Sequence, residues 1–149
     1  MQINIMKDYD PYMHTAEHVL NQTMVRIFGC ERAFSSHLEK KKSKVDYNFN
    51  RELSELEKEE ISKQVNSILK QGLPVIIESM PITEANKKFN LSRLPKSVTE
   101  DLRIVKIGNY DACPCIGNHV ENTNMVGEFI LGNCSFEGNV LRIRFKLKR

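Results

Sequence analysis

Projected at about 100° per residue, Ala16, Val19, Leu20, Thr23, Met24, Ile27 and Phe28 fall on one stripe, which predicts an amphipathic helix with its apolar side on a core. Asp8-Tyr9-Asp10-Pro11 reads as the turn that opens this helix, Gly29 as its stop, and residues 2–6 as a short strand or arm before it. His14 and His18 project roughly opposite the centre of the stripe, so they belong either to exposed surface or to a cleft roofed by another part of the chain. Glu17, between them, reads as a solvent-facing helix residue.

The period then shortens to two over residues 34–38 and 44–49, with a polar turn at 39–43 between, the pattern of a β-hairpin whose tip carries Lys40, Lys41 and Lys42. Ser54-Glu55-Leu56-Glu57 has the form of a capping box and opens a second helix, with apolar positions Leu56, Ile61, Val65, Ile68 and Leu69 and a stop at Gly72. A strand over 73–78, a short helix over 83–89, a polar connection to Leu94-Pro95 and a strand over 102–107 follow, then a loop rich in cysteine. The chain closes with a strand over 127–131, a connection, a turn at 137–139 and a strand over 140–147. In the last strand Leu141, Ile143, Phe145 and Leu147 alternate with Arg142, Arg144, Lys146 and Lys148, so one face is apolar and the other basic. Such a face suits a phosphate track or a solvated sheet edge. The pattern as a whole predicts an α+β fold, an antiparallel sheet with two main helices packed on it.

At 149 residues the chain is read as one domain, 1–149, long enough to bury a core without disulfides. Neither a leader-like segment nor a run of about 18 apolar residues is present, so the expectation is a soluble, unexported, cytoplasmic protein. The 22 Lys and Arg against 19 Asp and Glu give a formal net charge of +3, which permits nucleic-acid binding without requiring it. Cys30, Cys113, Cys115 and Cys134 are too few and too irregular for a disulfide framework, and Cys30 and Cys134 are expected to be simply buried.

Two motifs carry the candidate chemistry. In His14-Thr15-Ala16-Glu17-His18 the i, i+4 spacing puts both imidazoles on one helix face, and Cys115-Ile116-Gly117-Asn118-His119 adds a thiolate and a third imidazole, together a donor set suited to zinc. Cys113 can be an alternative ligand, a protonated neighbour or a buried side chain.

The two motifs and the segments between them resemble the editing domain shared by alanyl- and threonyl-tRNA synthetases, above all the short AlaX-type alanyl-tRNA editing proteins. The family's opening His-Thr-Ala-x-His-Leu-Leu is matched by His14-Thr15-Ala16-Glu17-His18-Val19-Leu20, and its Leu-Ser helix start by Leu53-Ser54-Glu55-Leu56-Glu57. Its hairpin segments are matched loosely by Ser35-Ser36 and by Lys44-Val45-Asp46-Tyr47. Its signature Asp-x-x-Pro-Cys-Gly-Gly-Thr-His-Val is matched by Asp111-Ala112-Cys113-Pro114-Cys115-Ile116-Gly117-Asn118-His119-Val120, followed by Thr123 and Val126-Gly127.

The resemblance implies a zinc-dependent hydrolase that deacylates mischarged tRNA in trans, with seryl- or glycyl-tRNA(Ala) as substrate and His14, His18, Cys115 and His119 as the ligands of one zinc ion. Asp111 matches the family's acidic residue before Pro-Cys and is expected to orient a ligand, while Thr15, Ser36 and Asn118 flank the motifs as candidate pocket groups. Lys40, Lys41, Lys42, Arg142, Arg144, Lys146 and Lys148 are the candidate tRNA contacts. The sequence departs from the family at Asn118, in place of Thr, at Ile116, in place of Gly, and at Ala33, where synthetase-embedded versions carry Gln, and these changes bear on the substrate amino acid. The extra N-terminal barrel of longer editing proteins is not expected here, so tRNA identity is expected to be read weakly.

Two other functions fit parts of the pattern. A zinc site with four protein ligands is the usual form of a structural site, which would make the chain a non-catalytic tRNA-binding module. His14-Thr15-Ala16-Glu17-His18 taken alone also fits the His-x-x-Glu-His pattern of inverted metallopeptidases, with Glu17 as base, but that chemistry needs a carboxylate ligand from a nearby helix.

Overall fold

The computed structural model describes residues 9–89, 91 and 101–149. The strand or arm expected over 2–6, Asp8 of the first turn and the connection at Leu94-Pro95 lie outside the described residues.

The first helix, α1 (Pro11–Phe28), starts where the Asp10 carboxylate accepts hydrogen bonds from the Tyr12 and Met13 N–H groups, at 2.9 and 3.2 Å, with Pro11 at the first helical position. It ends at Gly29, whose φ of 69° places it in the left-handed region that glycine adopts without strain. The hairpin follows as β1 (Ser35–Leu38) and β2 (Ser43–Asn48), with Lys40, Lys41 and Lys42 exposed at its tip.

The second helix, α2 (Glu55–Lys70), carries the complete capping box: the Ser54 hydroxyl accepts from Glu57 N–H at 3.1 Å and the Glu57 carboxylate from Ser54 N–H at 2.9 Å. Ile61, Val65, Ile68 and Leu69 face the core as expected, but Leu56, in the first turn, is 78% exposed. Then come β3 (Val75–Met80), α3 (Ile82–Lys88), β4 (Leu102–Ile107), β5 (Asp111–Pro114), a single 3-10 turn (Thr123–Met125), β6 (Glu128–Glu137) and β7 (Val140–Lys148).

The strands form two antiparallel sheets rather than the one the sequence pattern predicts: β1-β2-β7-β6 and, apart from it, β3-β4-β5. In the larger sheet β7 lies between β2 and β6, so its basic face is not a sheet edge. The expected connection after 131 is also part of β6, which continues through a register shift between Leu131 and Cys134. A bulge with polar residues breaks the alternation that marks a strand, which is why the sequence pattern stops there.

Val45, Tyr47, Phe129, Leu141, Ile143 and Phe145 on the inner face of the larger sheet pack in one cluster with Ala16, Val19, Leu20 and Met24 of α1 and with the apolar side of α2. At about 25 cal/mol per Å² of apolar surface, burying each large side chain contributes about 1.5–3 kcal/mol, and this cluster is the main source of stability. A smaller cluster of Met80, Ala85, Leu102 and Ile104 joins α3 to the smaller sheet.

Helix α1 is enclosed well beyond its apolar stripe, since Met13, His14, Thr15, Ala16, Glu17, His18, Val19, Leu20 and Asn21 are all buried. The cleft reading of the two histidines is the one that the fold adopts. Glu17, expected in solvent, is 8% exposed. The covering segment runs from β5 to the 3-10 turn and is tied down at its far end by Thr123, whose hydroxyl accepts from Leu73 N–H at 2.9 Å and donates to carbonyls at the end of α2. No described helix is long and apolar enough to cross a membrane.

Candidate metal centre

Four side chains from the two motifs meet against α1. His14, His18, Cys115 and His119 each offer a ligand atom, and these atoms all lie within 4.8 Å of one another. The Cys115 Sγ is 3.4 Å from His14 Nε2 and 3.6 Å from His119 Nε2, close to the roughly 3.5 Å edge of a tetrahedron with metal–nitrogen and metal–sulfur bonds of about 2.0–2.3 Å. The His14 and His119 rings are stacked with centroids 4.3 Å apart, and His18 meets both edge-on.

The surroundings set which ring nitrogen faces inward. Thr15 Oγ1 is 3.0 Å from His119 Nδ1 and accepts from the Val120 N–H at 3.2 Å, so it anchors the outer nitrogen of His119 and leaves Nε2 toward the thiol. Asp111 Oδ2 stands 3.6 Å from His18 Nδ1, longer than a hydrogen bond but on the correct side to fix that ring in the same sense. The Nδ1 atoms of His14 and His18 are buried without a hydrogen-bond partner among the described residues, and it is Nε2 of His14 that meets Cys115.

Asp111 is itself held by three donors: Gln22 Nε2 at 2.8 Å and the two Arg32 Nη atoms at 2.7 and 3.3 Å. Burial alone would push its carboxyl up, but the His18 contact and the Arg32 guanidinium outweigh it and hold the group well below the usual carboxylate range.

The same opposition acts on the thiol. Burial raises Cys115, while contacts with His119, His14 and His18 dominate and bring it down to about 2, so it stands as a thiolate among imidazoles. Burial and the neighbouring imidazoles lower His119 to about 4 against the pull of Cys115. For His18 burial also acts downward, but Asp111 and Cys115 prevail and raise it. A thiolate with three converging imidazoles is the donor chemistry of a borderline-soft divalent ion such as zinc, and the residues fit one.

The loop that carries Cys115 and His119 is braced by Arg103, whose Nη1 donates to the carbonyls of Cys115 at 2.9 Å and Gly117 at 2.8 Å, while Cys115 N–H donates to Arg103 carbonyl at 3.0 Å. The Gly117 N–H points at Cys115 Sγ, 3.5 Å away, as a thiolate acceptor requires. Cys113, which the sequence places in the loop, sits on β5, is partly buried and stands outside the four-residue group.

The other expected site residues divide. Thr15 is fully buried against His119, and Ser36 donates to Glu17 at 2.8 Å. Asn118 and Ile116 are exposed in the loop. Ala33 is buried, and its N–H donates to Asn21, which in turn donates to Glu17.

Of the basic face, Arg142 is paired with Asp46 through bonds of 2.8 and 3.0 Å, Arg144 reaches Asn133 and Ser135 at 3.5 Å, and Lys146 and Lys148 are exposed. The sequence reading missed Gln22, Arg32 and Arg103. Their partners are 89, 79 and 12 to 14 residues away, and such pairs leave no local signature. A concavity of about 940 Å³ runs along α2 and β6 between Lys58, Lys63, Asn66 and Leu131, away from the cluster.

Residues 102–143 match the family described as threonyl and alanyl tRNA synthetase second additional domain, a segment that includes Cys115 and His119. The chain is 31% identical over 137 residues to the alanine–tRNA ligase of Treponema denticola, covering 91% of this chain and 23% of the ligase. It is 33% identical over 132 residues to that of Caldicellulosiruptor saccharolyticus, covering 87% and 15%. With the alanyl-tRNA editing protein AlaX-L of Pyrococcus horikoshii it shares 30% over 115 residues, 77% of this chain and 28% of that protein. It thus spans between 15% and 28% of the length of these relatives. Residues 102–143 thus carry the signature of the threonyl and alanyl tRNA synthetase second additional domain, and the chain resembles the AlaX type of editing domain.

Proposed function

We propose that residues 1–149 act as one zinc-dependent editing domain that removes a wrongly attached amino acid from tRNA in trans, with seryl- or glycyl-tRNA(Ala) as substrate and the cytoplasm as its place of action. The observation that carries this reading is the convergence of His14 and His18, both buried, with the partly buried Cys115 and His119, from two motifs about 100 residues apart in an editing-type chain.

An aminoacyl ester is already activated, so its hydrolysis asks mainly for placement of the ester and a water and for stabilisation of the developing oxyanion. A zinc ion held by these four residues would supply Lewis acidity, a lowered pKa for a bound water, or a hold on the substrate. The chain's own contribution is orientation: Asp111 sets His18, Thr15 sets His119, and Arg103 fixes the loop that brings Cys115 to α1. Serine in place of alanine offers a hydroxyl that polar groups can read, and a buried polar group left unpaired is a strong basis for rejection.

The tRNA body would lie against the outer face of the larger sheet. There Arg144, Lys146 and Lys148, with Lys40, Lys41 and Lys42 at the hairpin tip, present charge for phosphates, whereas Arg142 is neutralised by Asp46.

The four-donor set also favours a second reading, a tRNA-binding module whose metal only pins the loop to α1, because filled tetrahedral sites are usually structural. One experiment separates the two. Seryl-, glycyl- and alanyl-tRNA(Ala) are incubated with zinc-loaded protein, chelator-stripped protein and protein reloaded with zinc. Deacylation of the first two, lost on stripping and restored on reloading, supports the hydrolase. A zinc-loaded, folded protein that binds tRNA but deacylates none of them supports the module.

A further inference from the structure

Resting on the editing reading, we propose that Glu17 is the receptor for the α-ammonium group of the aminoacyl ester, and so the residue that restricts the site to esters with a free amine.

Glu17 stands between the two histidines on α1 and is buried. One carboxylate oxygen is fully engaged: Oε2 accepts from Asn21 Nδ2 at 3.0 Å and from Ser36 Oγ at 2.8 Å. Asn21 has no freedom to reverse its amide, because its Oδ1 accepts from Tyr47 Oη at 2.8 Å and from Ala33 N–H at 3.0 Å. The network Tyr47–Asn21–Glu17–Ser36 therefore fixes the direction of the other oxygen. Oε1 lies 4.0 Å from His14 Nε2 and 3.9 Å from His18 Nε2, beyond hydrogen-bond reach of either and directed at the side of the rings that faces the cluster.

The other buried carboxylate nearby, Asp111, cannot take this role. It sits behind His18, at Nδ1, and is occupied by Arg32 and Gln22. Glu17 thus brings a preorganised negative oxygen to the reacting side of the centre. An aminoacyl ester carries its cationic amine on the carbon next to the carbonyl, so an ester placed at the cluster brings a positive group within a few ångströms of the reacting atom. A fixed carboxylate there binds it without further ordering, and an N-blocked ester, which lacks that charge, gains nothing from it.

The test compares seryl-tRNA(Ala) with its N-acetyl-seryl counterpart on zinc-loaded full-length protein, wild type and Glu17→Gln, with zinc content measured for both. A charge-assisted contact predicts that wild type prefers the free amine by about 10–100-fold in kcat/KM, mostly through KM, and that Glu17→Gln brings the two esters to parity while retaining zinc. Ser36→Ala, which frees Oε2, should reduce the preference by a smaller factor. Equal losses on both esters, or loss of zinc in Glu17→Gln, would overturn the proposal in favour of a metal-supporting role.

Should wild type hydrolyse neither ester nor glycyl-tRNA(Ala), the editing reading fails, and the Glu17 assignment is then judged by calorimetric binding of amide-linked seryl-aminoadenosine and its N-acetyl form. Equal binding of the two by wild type overturns it. A preference for the free amine that disappears in Glu17→Gln upholds it.

Discussion

Gly117 approaches His14 so closely that a Cβ built on its backbone would lie 2.2 Å from the imidazole Cε1 and 2.5 Å from Nδ1. The loop can bring Cys115 to α1 only because residue 117 has no side chain. Gly117→Ala must push the His14 ring aside or lift the loop, and either movement separates two donors now 3.4 Å apart. The variant should remain folded, since the main core lies under the larger sheet, but lose zinc affinity by at least about tenfold, as supporting changes around metal sites do. Competition against a zinc-binding dye measures this; unchanged affinity would show that the close approach does not matter.

Thr15→Val keeps the shape of a buried side chain and removes its hydroxyl. His119 Nδ1 and the Val120 N–H would both lose their partner, and a buried donor without a partner costs about 1–3 kcal/mol. Zinc affinity should fall by about 10–100-fold and thermal stability should drop as well. A variant that binds zinc like wild type would mean that Thr15 does not set the His119 tautomer.

Arg32→Gln isolates the support behind His18. The Asp111 carboxyl is held below its ordinary range, so its ion pair contributes stability that is fully present above the unfolded value of 3.8 and is lost as pH falls from there toward the lowered folded value. Arg32 is 28% exposed on its side chain and Asp111 fully buried, so breaking the pair should cost about 2–3 kcal/mol at neutral pH, below the full figure for a wholly buried pair. In urea unfolding of metal-free protein, the gap between wild type and variant should be constant from pH 7 to about 5 and narrow below about 4. A gap that widens on acidification would contradict the assignment.

The basic strand separates into one structural and three available cations. Arg142→Ala breaks a half-exposed pair with Asp46 and should lower stability only slightly, as exposed ion pairs do. Replacing Arg144, Lys146 and Lys148 by Ala should instead leave stability nearly unchanged. It should flatten the dependence of log affinity for tRNA on log salt by about 2–3 units, at roughly 0.7–0.9 per phosphate contact. Hydrolysis of a short aminoacyl ester should not change. Salt-insensitive tRNA binding by wild type would remove this face from the interface.

Periodicity made the elements legible wherever one side of a segment meets core and the other meets water. That holds for α2, the hairpin, β4 and β7, whose Leu141, Ile143 and Phe145 are buried as their alternation predicts. It fails where a segment is covered twice. On α1 the stripe of Ala16, Val19 and Leu20 shows only the side toward the sheet, while the loop that packs on His14 and His18 comes from about 100 residues away. The burial of Glu17, beside Ser36 of β1 and Asn21, likewise has no trace in local pattern. The four donors were legible because i, i+4 spacing and a Cys with a His four residues on are chemical patterns in themselves. Arg32, Gln22 and Arg103 were not, since an ordinary polar residue acquires a role only when the fold supplies its partner.

The most direct test of the account is the decay of seryl-, glycyl- and alanyl-tRNA(Ala) with wild type and His119→Ala side by side, zinc content being measured for each. Loss of serine or glycine by wild type with alanine spared, together with reduced zinc and abolished deacylation in His119→Ala, is the predicted result. Deacylation that survives His119→Ala unchanged would contradict the assignment of the cluster as the reaction centre.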